Sequence, residues 1–340
     1  MVAGCPRSGT TLLYDLLLSA GGFAVYLTES NVFGLLAQRF GNLSRLQNRR
    51  RLMQVWLGSR LFRASGLDAT LIEEKILTDC RHYGDFLRLT MEEIARAQGV
   101  ARWAENTPEH ILYAPLIKAL IPDILFVHMI RDGRAVALSL DQRSDRGLRV
   151  LPWDRKHNRL IQGIYWEWIV RRGRERGRKL GEDYTEVRFE DLVENPGATL
   201  TTLGRFIGQE LDYGRIRAVG YRSVRKPNTS FRKESSEGSF DPVNRWRKAY
   251  THEQLEVFEG LAGNLLRELG YPLLTSGKAS ARFRRLRAVY RAYYSSRFRL
   301  KTSPLGRLRP QLASRDLDEI VMGEDGPPKL LQPAAFQRDS

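Results

Sequence analysis

The chain begins with a glycine-containing loop that strongly constrains its fold. The sequence Met1-Val-Ala-Gly-Cys-Pro-Arg-Ser-Gly-Thr-Thr-Leu-Leu13 predicts a strand end, a tight loop and the first turn of a helix. Gly4 and Gly9 bracket four residues, which is the glycine spacing of phosphate-binding loops. In such a loop a glycine lets the backbone approach an anion, and the first amides of the helix point at it. We therefore expect an α/β fold with an anion site at the end of the first strand.

The loop departs from the loops that bind nucleoside triphosphates at one position. Thr10 follows Gly9, where those loops have the lysine that reaches the β- and γ-phosphates. Arg7 lies inside the loop and can fork onto a planar or tetrahedral oxyanion. Residues Arg7, Ser8, Gly9, Thr10 and Thr11 therefore predict a cradle for a phosphate-like group that is not a triphosphate tail. The alternative is an ordinary strand-to-helix turn.

The remaining sequence predicts one α/β domain with insertions and a basic extension. The 340 residues can bury a large core, and residues 123–131 are the clearest buried strand. We expect a P-loop-like central parallel sheet with helices on both faces and a helical cap insertion that begins near residue 32. This domain should span residues 1–272, followed by a basic amphipathic segment and a flexible tail over residues 273–340.

Positive charge is concentrated in two stretches. The net charge is +16, yet residues 39–63 carry seven Arg and residues 277–309 carry eleven Lys or Arg, both without an acid. The rest of the chain nets −2, so we expect no specific nucleic-acid binding. The first stretch is either a solvated helix face or a contact for an anionic acceptor. Residues 277–301 either lie on an anionic membrane surface or pack on the domain.

Cysteine content and hydropathy bear on the compartment. The two cysteines, Cys5 and Cys80, indicate a reducing environment and are expected to be small buried residues. There is no apolar run of about 18 residues and no signal-peptide pattern. We expect a cytoplasmic protein, with peripheral membrane contact through residues 277–301 as the alternative. Because the first predicted strand has no lead-in, we also expect the chain to start late or to lack an upstream part.

Glu29 follows the second predicted strand, at the same edge of the sheet as the loop. A carboxylate in this position can act as a general base. It can equally cap or begin the helical segment that starts at Asn31. Position alone does not separate these two roles.

A second anion site is predicted where the strand of residues 123–131 ends. Arg131 is the last residue of this strand, and Ser139 lies about two turns into the following helix. Both side chains can face the crevice above the sheet, and we expect this site to be well separated from the first loop. The alternative is that Arg131 pairs with Asp132 or with a helix end. His128, inside the strand, is expected to be a core histidine.

Together these residues resemble the PAPS-dependent sulfotransferases, where PAPS is 3′-phosphoadenosine 5′-phosphosulfate. The resemblance rests on Pro6 to Thr11, on Glu105-Asn-Thr-Pro108, and on Arg131-Asp-Gly-Arg134 with Ser139, and it covers about residues 1–272. The nearest branch is that of bacterial sulfotransferase-domain proteins that are also similar to the tyrosylprotein sulfotransferases. In this family the first motif, here Arg7 to Thr11, holds the 5′-phosphosulfate. The second motif, here Arg131 and Ser139, holds the 3′-phosphate.

The resemblance implies two further roles and shows two departures. Glu29 lies where the tyrosylprotein branch has its general base, and Arg245, just before a tryptophan, resembles a basic residue that touches the donor. Asn106 stands where many members have a lysine that neutralises the bridging oxygen, so Arg7 would carry more of that charge. Phe189 stands where a tyrosine is common, which removes one hydroxyl contact.

The expected reaction is in-line transfer of a sulfuryl group from PAPS to a hydroxyl or amine, with release of 3′,5′-ADP and without a metal. Glu29 would take the proton of the acceptor, which is a small molecule, a carbohydrate or a peptide. One alternative is a P-loop kinase or NTPase, for which Asp132 is the candidate magnesium ligand. The other is a non-catalytic nucleotide-binding protein that docks on an anionic surface.

Overall fold

Parallel strands form the centre of the molecule, in a computed structural model that describes residues 1–142, 152–220, 222–224 and 241–303. One sheet has the order β1-β4-β5, and β2 pairs with β3 in a second sheet. Val2 forms a parallel bridge with Asn106, just beyond β3, so the second sheet continues onto the free edge of β1. The strands are β1 (Val2–Gly4), β2 (Phe23–Ala24), β3 (Arg102–Trp103), β4 (Phe126–Ile130) and β5 (Tyr184–Arg188).

Helices connect the strands and cover the sheet. The α-helices are α1 (Thr10–Ser19), α2 (Leu46–Leu57), α3 (Arg60–Arg63), α4 (Ala69–Asp79), α5 (Tyr83–Ala97), α6 (Ala114–Leu120), α7 (Gly133–Asp141), α8 (Asn158–Gly177), α9 (Phe189–Glu194), α10 (Pro196–Ile207), α11 (Tyr213–Val219), α12 (Trp246–Ala249), α13 (His252–Glu268) and α14 (Ala281–Thr302). Short 3-10 helices occupy Leu36–Gln38, Pro108–Tyr113, Pro152–His157, Arg178–Asp183 and Arg222–Val224.

Alternate residues of β4 face two different hydrophobic cores. Val127 and Met129 lie in a core with residues of α1 and α10, whereas Phe126 and Ile130 lie in a larger core with residues of α8 and α13. A strand that is buried on both faces needs no polar positions, which explains its apolar sequence. The predicted α/β class, with a parallel sheet between helices, is confirmed. His128 is buried in the same strand, and its Nδ1 lies 2.7 Å from the Tyr184 hydroxyl.

The chain between β2 and β3 forms the predicted helical insertion. Helices α2, α4 and α5 pack through Leu52, Ile72 and Phe86, which belong to the larger core. This packing buries part of the basic stretch of residues 39–63 and leaves the rest exposed. Arg49 is buried and donates to the carbonyls of Leu43 and Leu77, whereas several of its neighbours on α2 are exposed. Contact of the exposed arginines with an acceptor stays a prediction.

Helix α14 packs on the domain, which was one of the two alternatives for residues 277–301. Tyr290 and Tyr294 are buried, and the Trp168 indole donates to Ser295 Oγ at 3.0 Å. Arg287 Nε donates to the buried carboxylate of Glu167, on α8, at 2.8 Å. The aromatic side of α14 is therefore occupied by α8. None of the described helices is long and apolar enough to cross a membrane.

Removing α14 is expected to destabilise the whole domain. Truncation after residue 276 would expose the aromatic residues beneath the helix and would leave the Glu167 carboxylate without Arg287. Full burial of a large side chain contributes about 1.5–3 kcal/mol, so the loss of the buried Tyr290 and Tyr294 alone predicts a fall in melting temperature of about 10 °C in a chain of this size. Thermal unfolding of this variant should be compared with truncation after residue 303, because the difference isolates α14. Equal melting temperatures would contradict the expectation.

Some predictions lie wholly or partly outside the described residues. Most of the predicted loop over residues 222–244 and nearly all of the tail after residue 302 belong to this group. The predicted domain boundary after residue 272 stays a prediction. Cys5 and Cys80 are both buried and neither forms a disulfide within the described residues, as expected for small core residues.

Candidate active site

The loop between β1 and α1 has the conformation that its glycines allow. Gly9 is the N-terminal cap residue of α1 and adopts a left-handed φ of 92°. A Cβ at this position would lie 2.3 Å from Cδ2 of Phe189, so a side chain is excluded by contact as well as by conformation. Arg7 also has a positive φ, 74°, which is rare for a residue with a side chain. The loop thus has an unusual backbone shape, and the ring of Phe189 packs directly against it.

The first turn of α1 provides donors for an anion. The first amides of a helix have no intrahelical acceptor, and Gly9 has no side chain to cap them. Ser8 is fully buried, and its hydroxyl has no hydrogen-bond partner in the described part of the chain. Thr10 is buried and Thr11 is half-buried. Buried hydroxyls are normally paired, so the Ser8 side chain fits a ligand in the loop.

The structure brings the two predicted anion sites together. Arg7 Nε donates to Ser139 Oγ at 3.0 Å, and Arg131 Nη1 donates to the Arg7 carbonyl at 3.1 Å. The expectation that the sites are well separated was therefore wrong. The reason is topological: β1 pairs directly with β4, with Gly4 opposite Met129, so the segments that follow the two strands leave the sheet side by side.

Arg131 is buried with spare hydrogen-bonding capacity. Its Nη2 donates to the Pro242 carbonyl at 2.7 Å, and its guanidinium lies 4.1 Å from the centre of the Phe189 ring. The buried Nε has no partner among the described residues. Burial lowers the pKa of Arg131 to about 10, against the opposing effect of Glu190 and with a contribution from the nearby charge of Arg245. The side chain therefore stays a cation at neutral pH.

Asp132 belongs to a structural ion network and does not pair with Arg131. Its carboxylate accepts from Arg134 Nη2 at 2.7 Å and from the Arg134 backbone amide at 2.8 Å. Arg134 Nη1 also donates to Glu259 at 2.6 Å. The predicted alternative of an Arg131–Asp132 pair is wrong, because a buried arginine two residues later satisfies the carboxylate. Asp132 is also engaged at the position where a kinase would need a magnesium ligand.

Arg245 lies beside the end of α7. Its Nη2 donates to Gln142 Oε1 at 2.8 Å. The next residue, Trp246, is buried beneath the Arg134 guanidinium, which lies 3.9 Å from the ring centre. This packing fixes the backbone that carries Arg245 next to the crevice. Contact of Arg245 with a donor stays a prediction.

Glu29 is exposed on the segment that follows β2. Its carbonyl accepts from Asn31 Nδ2 at 3.1 Å, and Asn31 has a left-handed φ of 51°. The next residue, Ser30, donates through its hydroxyl to Glu105 Oε1 at 2.7 Å. The role of Glu29 as a base stays a prediction.

Glu105 is a buried carboxylate that sequence reasoning missed. Its oxygens accept from the backbone and hydroxyl of Ser30, from the backbone and hydroxyl of Thr107, and from His110 Nδ1. His110 Nε2 accepts from the Phe33 amide, so Nδ1 carries the proton. Burial alone would raise the pKa of Glu105, but His110, Thr107 and Ser30 together lower it from 4.5 to about 2.

The lowered pKa of Glu105 makes a prediction for stability against acid. Because its folded-state pKa is below the unfolded value, the carboxylate stabilises the fold fully above about pH 5, and this contribution is lost as pH falls towards 2. We expect the free energy of unfolding to fall by about 3 kcal/mol from this group over that window. Urea unfolding at pH 6, 4 and 3 should show a weaker pH dependence in Glu105→Gln. An identical slope in the two proteins would contradict this origin.

Phe189 is the second residue whose role was missed. From the sequence, Phe189 was interpreted only as a replacement for a tyrosine, with the loss of one hydroxyl contact. In the structure its ring packs between Gly9 and Arg131. The available signal was its position directly after β5, because residues at the carboxyl ends of parallel strands lie where ligands bind. For Glu105 the signal was an acid at a strand end with Thr107 and His110 close behind it.

A family model described as "Sulfotransferase family" matches residues 1–213. The chain belongs to the sulfotransferase family. The matched residues include the loop after β1, the Glu105 segment and the end of β4, and they exclude Arg245. No curated protein sequence matches the chain at a significant level.

Solved sulfotransferase structures are similar to this fold. The sulfotransferase domain of the Synechococcus PCC 7002 olefin synthase has a TM-score of 0.50 at 16% identity, and covers 80% of this chain and 94% of its own. The sulfotransferase domain of the curacin biosynthetic pathway has a TM-score of 0.48 at 14% identity, over 80% and 97% of the two chains. Sulfotransferase STF9 from Mycobacterium avium has a TM-score of 0.43 at 16% identity, over 80% and 76%. The olefin synthase domain supports the sulfotransferase fold; at this identity the likeness does not extend to the acceptor.

Proposed function

We propose that this sulfotransferase uses PAPS as its donor and transfers the sulfuryl group in line to a hydroxyl or amine. The observation that carries the proposal is the convergence of two segments on Arg7: its side chain donates to Ser139, and its carbonyl accepts from Arg131. Two cations, one just before each of two helix N-termini, suit a ligand with two anionic groups. PAPS has such groups, the 5′-phosphosulfate and the 3′-phosphate.

The chain's residues divide the work of holding this donor. Arg7, the Ser8 hydroxyl and the first amides of α1 would hold the 5′-phosphosulfate. Arg131 and Ser139 would hold the 3′-phosphate, and Arg245 would add charge from the end of α7. The unpartnered Ser8 hydroxyl and Arg131 Nε both fit this assignment, since buried polar atoms need partners.

Transfer then needs only a base and charge stabilisation from the chain. The acceptor oxygen or nitrogen forms a bond to sulfur, the bond from sulfur to the 5′-phosphate oxygen breaks, and 3′,5′-ADP leaves. Glu29 takes the acceptor's proton. Arg7 stabilises the negative charge that develops on the leaving oxygen. No group of His, Cys, Asp and Glu residues among those described could hold a metal ion, and none of these steps uses one.

Ligand-dependent thermal shifts test the donor class before any acceptor is known. At about 100 times its Kd, 3′,5′-ADP should raise the melting temperature by about 5 °C without a metal. ATP and ADP with Mg²⁺ should give a smaller shift. Arg131→Lys keeps the charge but loses the planar fork, so it should weaken 3′,5′-ADP binding by about tenfold. A larger shift with Mg²⁺-ATP would favour the kinase alternative and overturn the proposal.

Transfer itself is tested with radiolabelled PAPS and a panel of acceptors. The panel contains a simple phenol, a tyrosine peptide, a carbohydrate and a primary amine, which represent the acceptor classes open to this chemistry. Label should appear on at least one of them. Binding of 3′,5′-ADP without any transfer would instead favour a non-catalytic nucleotide-binding protein.

A further inference from the structure

The Glu105 carboxylate is buried and accepts an unusually large number of hydrogen bonds. It is 1% exposed and accepts five hydrogen bonds, although a carboxylate offers about four lone pairs. Such a group has no access to an acceptor and no free oxygen to receive a proton. Glu105 is therefore not the base, even though it lies close in space to the segment that carries Glu29.

The partners of Glu105 hold both residues that follow Glu29. Ser30 donates to the carboxylate through its amide at 3.3 Å and its hydroxyl at 2.7 Å. The Asn31 amide donates to Thr107 Oγ1 at 3.3 Å, and that hydroxyl in turn donates to Glu105. The left-handed backbone of Asn31 is an uncommon conformation that persists only when surrounding contacts support it.

We propose that Glu105 is a positioning residue that fixes the Ser30–Asn31 turn and so directs the Glu29 carboxylate toward the acceptor. This inference rests on the proposed role of Glu29. Its physical basis is that a base must lie within hydrogen-bond reach of the proton it removes, and that a displacement of about 1 Å can cost about 100-fold in rate. A buried carboxylate that accepts five hydrogen bonds holds the backbone next to the exposed Glu29 side chain rigidly in place.

The first test is amide hydrogen exchange in the full-length chain. Glu105→Gln keeps the shape of the side chain but replaces one acceptor oxygen with an NH₂ group. Exchange at the Ser30 and Asn31 amides should become at least about tenfold faster, while β4 keeps its protection. Glu167→Gln is the matched control, because Glu167 is also 1% exposed and binds arginines on α8 and α14 instead of the Ser30–Asn31 turn. Unchanged exchange at both amides in Glu105→Gln would overturn the proposal.

The second test is a double-mutant cycle on transfer, using the best acceptor of the panel. Glu105→Gln should lower kcat by about tenfold and leave the Kd for 3′,5′-ADP unchanged within about twofold. In a Glu29→Ala background the same substitution should cost almost nothing, because its effect passes through Glu29. Full additivity of the two losses would overturn the positioning role and leave Glu105 as a structural residue.

The two tests separate this inference from the proposed function. If Glu29→Ala keeps normal turnover, the proposed base is wrong, whereas amide exchange still decides whether Glu105 holds the turn. If Glu105→Gln does not fold, Ser30→Ala removes a single donor from the same carboxylate and should act in the same direction with a smaller effect. Normal turnover and normal exchange in Ser30→Ala would overturn the inference.

Discussion

Replacing Arg7 with alanine is expected to lower turnover by about 100- to 1,000-fold, the cost of removing one donor that stabilises transition-state charge. Arg7 lies in the loop itself, and its side chain is already directed across the crevice by the 3.0 Å hydrogen bond to Ser139. Thr10 cannot replace it, since it lacks a charge. Asn106, where many family members have a lysine, is nearly buried and is also uncharged. In the proposed mechanism, Arg7 is therefore the residue that stabilises the charge on the leaving oxygen.

The kinetic pattern distinguishes this role from simple donor binding. In Arg7→Ala, kcat should fall far more than the affinity for 3′,5′-ADP, which we expect to weaken by no more than about tenfold. Arg7→Lys should recover part of kcat, because the charge is kept while the fork is lost. Arg88→Ala, which removes an arginine from a surface ion pair on α5, is the control for lost charge. Equal losses in kcat and donor affinity would show that Arg7 acts mainly in binding.

Local signals were enough to predict the framework of the site. The glycine spacing around Arg7 predicted the strand, loop and helix, and the apolar run of residues 123–131 predicted β4, which spans the shorter range Phe126–Ile130. These features depend on residues close together in the chain. The α/β class followed from them, because strands that alternate with helices favour a parallel sheet.

The relation between separate segments could not be predicted in the same way. Nothing in the sequence states that β1 and β4 are neighbours, so the hydrogen bond from Arg7 to Ser139 was not foreseen. Glu105 was missed for a similar reason, since its partner Ser30 lies 75 residues away. Charge and periodicity alone did not decide whether residues 277–301 pack on the domain or lie on a membrane surface. The packing of α14 on α8 depends on aromatic contacts with distant residues. Pairing of distant elements is a property of the whole fold.

Glu29 is the remaining residue on which turnover should depend strongly. Glu29→Ala is expected to lower kcat by about 100-fold or more, because an acceptor hydroxyl that keeps its proton is a poor nucleophile. The side chain is exposed, while the next two residues are anchored to Glu105 and Thr107. This combination of a reachable carboxylate and a fixed backbone suits a base that must meet acceptors from outside.

The substitution should leave the donor site intact. Affinity for 3′,5′-ADP should stay within about twofold of the parent, because none of the groups assigned to the donor's phosphates lies on this segment. Glu29→Gln keeps the size and polarity of the side chain but cannot accept the proton, so it should lose as much turnover as Glu29→Ala. Glu253→Ala, at an exposed carboxylate on α13, is the control for lost charge. Near-normal turnover in Glu29→Gln would rule out Glu29 as the base, and the acceptor's proton would then have to leave by another route, such as through solvent.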